Sequence, residues 1–219
     1  MSEQGPGRPC DPRIAEQRRE EIIRAAIKHF SQSGFQNADL DAIATEAGCA
    51  KGTLYRYFEN KKDLFLKVVD YVMQGLLCTT TSTQDDDPLI KVEQGIRAYL
   101  AYFDTHPEYI ELLIQERSEF KDRPKPTYFE YQDVSREHWR DVVQTLMKQG
   151  RFRKMPMDRV FDIIGNLLYG TIFTNYFAGR KKSLEEQADD ILDVMLKGLL
   201  TPQAAKNYQK RNHFCHLTK

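Results

Sequence analysis

The chain has 219 residues, 41% of them hydrophobic and 29% charged, and its 32 basic side chains are matched by 32 acidic ones. That length and apolar share suit one large packed domain, or a small domain joined to a larger one. Zero net charge excludes a diffuse field that would hold nucleic acid nonspecifically, so any basic function has to be local. The four cysteines, Cys10, Cys49, Cys78 and Cys215, show no CxxC spacing. They argue against a disulfide scaffold and for a reducing, cytoplasmic setting. The N-terminus lacks an apolar signal core. The longest apolar run, Val160–Ala178, is interrupted by Asp162, Asn166 and Asn175, which speaks against a membrane span. No GxGxxG, P-loop, HExxH or GxSxG occurs, and no cofactor is expected.

In chain order, residues 1–12 (MSEQGPGRPCDP) read as a disordered arm. A helical pattern begins at Arg13, with Ile22, Ile23, Ala26, Ile27 and Phe30 on one stripe and Gly34 at its end. Asp39 is placed to cap a short second helix that buries Leu40, Ile43, Ala44 and Ala47 and closes at Gly48. The next stretch, AKGTLYRYFENKKDLF (50–65), sets Leu54 and Phe58 four apart on a buried seam. Lys51, Thr53, Tyr55, Arg56 and Tyr57 project away from that seam. A longer helix is predicted over about 61–77, and the polar run TTTSTQDDDP (79–88) reads as a loop. Further helices are expected at about 89–104, 107–120, 127–149, 157–179 and 184–200, with KDRPKP (121–126) as a breaker. The chain therefore reads as all-α, with roughly nine helices. The expected organisation is an arm (1–12), a small helical domain (13–62), a larger helical domain (63–202) and a flexible tail (203–219).

Two short helices joined through Gly48 and Cys49, backed by a longer first helix, make a helix-turn-helix. The chain reverses within a few residues there, and a left-handed backbone is cheap only without a Cβ. The second helix of such a unit lies in the DNA major groove while the first crosses the backbone. In that pose Tyr55 and Tyr57 offer hydroxyls to phosphates, and Lys61 and Lys62 add charge at the groove's rim. Lys51, Thr53 and Arg56 reach base edges or phosphates. Residues 50–62 hold four basic and one acidic side chain, against ten and nine over residues 1–62. The charge is concentrated where this fold predicts contact.

The segments I-A-x-x-A-G (43–48), K-G-T-L-Y-x-Y-F (51–58) and F-x-x-K-x-x-L (58–64) resemble the DNA-binding signature of the TetR family of repressors. The resemblance covers about residues 13–65. It implies a homodimeric, ligand-responsive repressor of double-stranded operator DNA, with a three-helix N-terminal domain and a variable helical C-terminal domain. By position it implies base contact for Lys51, Thr53 and Arg56, and phosphate contact for Tyr55, Tyr57 and Lys61. Lys62 is added on charge and adjacency. The chain departs from the family pattern at Asp39, where Thr or Ser is common, and at Ala50, where Ser usually caps the recognition helix. Losing such a cap costs about 1 kcal/mol.

Helix 157–179 is apolar on two faces, which suits a helix covered by its own core and by a second copy. Phe161, Ile164 and Leu168, with Ile191, Met195 and Leu199 of the last helix, are the expected dimer seam. Among the aromatic side chains of this region, Tyr102, Phe103, Trp139, Tyr169 and Phe173 are the candidate lining of a pocket for an unknown small-molecule effector, apolar or aromatic. Two other readings are open. One is a helical ligand-binding or adaptor protein without operator binding. The other is a metalloprotein or enzyme using Glu108, Glu111, Glu116 and Glu119 with His138, or His213, Cys215 and His216 of the tail as metal ligands.

Overall fold

The computed structural model describes residues 12–82, 85–179 and 182–207. Among the described residues nine longer α-helices run in order: α1 (Pro12–Asn37), α2 (Leu40–Glu46), α3 (Lys51–Tyr57), α4 (Lys61–Thr81), α5 (Pro88–Thr105), α6 (Glu108–Glu119), α7 (Thr127–Lys148), α8 (Met157–Ala178) and α9 (Leu184–Leu199). Residues 202–207 add a short tenth helical segment, where a loose tail was expected from 203. The fold is all-α. Among the described residues, no helix is long and apolar enough to cross a membrane. The arm residues 1–11 and the ligand candidates His213, Cys215 and His216 lie outside the described residues.

The helices separate into two units, and the division differs from a boundary at residue 62. The first unit takes the chain to Tyr71 and adds Glu111–Lys121; the second holds Val72–Ile110 and the rest from Asp122. Aromatic packing explains why most of α6 joins the N-terminal unit. Phe65 of α4 meets Phe30, Phe35 and Phe120 at centroid distances of 5.0, 5.3 and 5.5 Å. Gln115 Nε2 donates to the Phe30 carbonyl at 3.0 Å. A helix that buries one phenyl ring and ties one backbone carbonyl belongs to that core, whatever its place in the chain.

Within the first unit, Ile22, Ile23, Ala26, Phe30, Ile43, Leu54, Leu64 and Phe65 are fully buried. Ile27, Ala44 and Ala47 of the predicted stripes are buried as well, whereas Leu40, expected on the same face as Ile43, is only half-buried. Gly34 breaks α1 with φ 76° and ψ 160°, as a helix-ending glycine does. Asp39 caps α2, its Oδ1 accepting from the Asp41 N–H at 2.9 Å.

The predicted loop at 79–88 begins too early. α4 continues to Thr81, and the hydroxyls of Thr79, Thr80 and Thr81 donate to the carbonyls of Gly75, Leu76 and Leu77 at 2.8, 3.0 and 2.7 Å. A threonine run that bonds its own preceding turn stays helical although its composition reads as a loop.

In the second unit α5 lies along α9 and also meets α7 and α8, which in turn touch each other. α9 opens on a capping box, Ser183 with Glu186. Asp104 of α5 also accepts from the Leu184 N–H at 3.0 Å. Arg151 forks onto Asp87 at 2.5 and 3.1 Å, fixing the α7–α8 connection against the start of α5.

Candidate nucleic-acid interface and ligand cavity

α2 and α3 are linked by residues 47–50, with Gly48 in the left-handed region at φ 66°. The turn is closed by backbone bonds from Gly48 N to Thr45 O (3.0 Å) and from Cys49 N to Ala44 O (2.9 Å). Arg18 of α1 holds it from outside, Nη1 donating to the Ala47 carbonyl at 3.0 Å. Lys28 and His29 of α1 meet Glu46 at the end of α2, at 2.7 and 2.8 Å. These braces were not read from the sequence. They span 17 to 29 residues, and no local spacing marks them.

Only Leu54 of α3 is buried, and it seats the helix on the core. Lys51, Tyr55 and Arg56 are exposed, while Thr53 and Tyr57 are half-buried. The Tyr57 ring leans on Phe58. Ala50 supplies no side-chain cap to α3, as its methyl group dictates.

The cations are less free than their sequence suggests. Lys51 Nζ bonds Asp41 Oδ2 at 2.7 Å, and that bond holds the ammonium above the usual lysine range. Lys61 Nζ donates to the Gln36 carbonyl at 2.8 Å and sits 5.3 Å from the Phe35 ring centre. It therefore ties the end of α1 to the start of α4, a bond that uses one of its three N–H donors. Lys62 lies 5.0 Å from the Phe120 ring. Asp41→Asn removes an anion beside the reading surface and releases Lys51. Binding to every DNA sequence should tighten about two- to fivefold, with a slightly lower melting temperature because α2 loses a first-turn acid. Parallel binding isotherms and melts of the two proteins check both effects.

The second unit holds a partly open cavity of about 140 Å³. Met73, Leu76 and Leu77 of α4, Val92 and Ile96 of α5, Val143 of α7 and Phe161, Ile164 and Leu168 of α8 supply its apolar wall. Tyr99, Tyr128, Tyr131 and Trp139 add ring faces, and Thr80, Gln132, Ser135 and Arg136 add polar groups. The Tyr99 and Tyr128 hydroxyls bond each other at 2.9 Å. Burial pushes Tyr128 up to about 12 and Tyr99 well above the usual phenol range, so both stay protonated.

Of the five expected pocket residues, Trp139 alone lines this cavity. Tyr102 instead donates to the Val72 carbonyl at 2.7 Å, and Phe103 is buried in the helical core. Tyr169 and Phe173 meet with ring centres 4.4 Å apart and planes tilted by 42°, beside Tyr128 and Phe129 rather than on the cavity wall. The residues expected on a dimer seam mostly turn into their own chain. Phe161, Ile164 and Leu168 face the cavity, Met195 and Leu199 are buried within their own chain, and Ile191 is half-buried. The outward apolar stripe is one step round each helix: Ile163, Leu167 and Phe177 on α8, 58, 36 and 70% exposed, and Val194 on α9, 71% exposed.

The acidic set offered as catalytic is engaged by its neighbours. Glu108 meets His106 at 3.2 Å, Glu111 accepts from Gln115 at 3.0 Å, Glu119 accepts from Gln36 at 2.5 Å and Glu116 is buried. His138 packs edge-on against Trp139. Among the described residues no cluster of three His, Cys, Asp or Glu side chains is arranged to hold a metal ion.

Known proteins resemble the chain in its helix-turn-helix and in its fold. Residues 22–68 match the family model for bacterial regulatory proteins of the tetR family. A transcriptional repressor of Streptomyces coelicolor, SCO4008, is 33% identical over 112 residues, covering 51% of this chain and 56% of that protein. The chain thus spans about half the length of that relative. The repressor KstR2 of Mycolicibacterium smegmatis is 24% identical over 208 residues, covering 91% of this chain and 98% of the relative. The structure of the ketosteroid transcriptional regulator KstR2 of Mycobacterium tuberculosis superposes with a TM-score of 0.63 at 21% identity, over 84% of this chain and 95% of that one. The helix-turn-helix of residues 40–57, braced by α1 and α4, thus lies within a domain of the tetR family of bacterial regulatory proteins (residues 22–68), and a helical second unit follows it.

Proposed function

We propose that the protein is a homodimeric transcriptional repressor of the cytoplasm that binds double-stranded operator DNA through α3 and leaves it when a small apolar or aromatic effector fills the cavity. The observation that carries the reading is the outward face of α3, where Lys51, Tyr55 and Arg56 stand exposed on a helix anchored by Leu54. Thr53 and Arg56 join Lys51 toward base edges, while Tyr55, Tyr57, Lys61 and Lys62 face phosphates. Regulators of this family are not enzymes, which agrees with the engaged carboxylates above. A gel shift with fragments from upstream of the gene tests the reading. One fragment should be retained selectively over competitor DNA, and retention of none at low salt would leave a ligand-binding adaptor instead.

The exposed stripe on α8 and α9 supports pairing with a second copy. Ile163→Glu, at its centre, should yield a chain that sediments as a monomer and binds the operator about a hundredfold less tightly. A variant that still sediments as a dimer would move the seam elsewhere. The effector's chemistry follows from the cavity wall, which is mostly apolar and rich in rings. An effector can shift the protein toward release only by binding the release conformation more tightly than the DNA-bound one. α4 carries residues of both units, Lys61–Tyr71 in the first and Val72–Thr81 in the second, and is the lever in this proposal. If a flexible insertion in α4 left the effector's action on DNA affinity unchanged, the lever would be excluded.

A further inference from the structure

We infer that the cavity takes a small aromatic carboxylate, its ring against Trp139 and its acid group at Arg136. The inference rests on reading the cavity as the effector site and goes on to name the effector's chemical class. Arg136 is the single charged side chain on the wall, and its Nε is buried with no hydrogen-bond partner. A desolvated guanidinium N–H without an acceptor is unfavourable, and a ligand oxygen placed there removes the deficit. Asp162 holds Nη2 at 2.6 Å, but its carboxylate is 56% exposed, so water already solvates it and the pair yields readily. Gln132 and Ser135, one turn or less away on α7, supply further donors at the same end. No aspartate or glutamate lies on the wall to repel an anion.

The other end fixes the body of the ligand. A Cβ on Gly95 would lie 2.6 Å from Trp139 Cζ2, so the indole rests directly on the α5 backbone and forms a flat ring surface. A volume of about 140 Å³ is close to that of cavities that hold one benzene ring, roughly 150 Å³. One substituted ring with an acid group fits that space; a fused four-ring body needs more.

The test uses the full chain at neutral pH and three probes of similar size: 4-ethylbenzoate, 4-ethylbenzamide and 1,4-diethylbenzene. Trp139 is the chain's single tryptophan, so quenching of its fluorescence reports binding, with calorimetry as a second readout. The carboxylate should bind about tenfold or more tightly than either neutral probe, and Arg136→Gln should abolish that preference while the diethylbenzene affinity stays. Asp162→Asn, an exposed change that leaves the core alone, should tighten the carboxylate further and decides the matter if Arg136→Gln does not fold. Equal affinity for the three probes, a preference that survives Arg136→Gln, unchanged or weaker carboxylate binding by Asp162→Asn, or no binding at all would each overturn the inference. Equal affinities leave the cavity as an effector site with a different ligand, and the gel shift decides operator binding separately.

Discussion

Phe65→Ala should destabilise the N-terminal unit by about 3–5 kcal/mol and abolish DNA binding with it. Phe65 is fully buried and is the ring that Phe30, Phe35 and Phe120 all contact. Its removal opens a void that three aromatic walls cannot collapse to fill, since rings relax less than aliphatic chains. Against a typical total stability of about 5–15 kcal/mol, that loss leaves the unit marginal. Denaturant unfolding followed by circular dichroism measures it, with Phe65→Leu expected to recover more than half of the difference. A midpoint unchanged by the alanine would mean that the four rings are not the core of this unit.

Lys51→Ala carries the largest effect expected on recognition. If Lys51 reads a base edge, as proposed, its loss should weaken operator binding about five- to 150-fold, and the loss should be confined to one base-pair position. The comparison is with Tyr55→Phe, which deletes one phosphate donor and should weaken all sequences alike. Titrations against the operator and a set of single-base variants separate the two patterns. If Lys51→Ala loses the same factor on every sequence, Lys51 is a backbone contact and reading falls to Thr53 and Arg56. Because Asp41 already bonds Lys51, the double change Asp41→Asn with Lys51→Ala should show coupling rather than the sum of the two single effects.

The first unit was legible because its signals are local. The i, i+4 seam of Leu54 and Phe58, the cap at Asp39 and the glycines at 34 and 48 each act within one turn of chain, and each stands where its chemistry places it. The second unit was legible only as a set of helices. α8 carries apolar residues at helical spacing on two faces, and nothing in its own sequence says which face turns inward. The decision comes from α7, whose Gln132, Arg136 and Trp139 share the cavity wall with Phe161, Ile164 and Leu168. The aromatic residues mislead for the same reason. Tyr102 and Phe103 are next to each other in the chain, yet one satisfies a backbone carbonyl and the other fills the core, because adjacent positions on a helix point about 100° apart. The place of α6 depends on Phe120 reaching Phe35 at 4.9 Å across 85 positions of sequence, which no window along the chain can register.

The hydroxyl pair of Tyr99 and Tyr128 has a consequence for physiology. Burial keeps both phenols from ionising, and the chamber wall includes no histidine, aspartate or glutamate. Its own electrostatic character is therefore constant across the acidity range a bacterium tolerates. If the chamber takes a ligand, any dependence of that ligand's affinity on acidity between about pH 5 and 8 reports the ligand's proton rather than one on the wall.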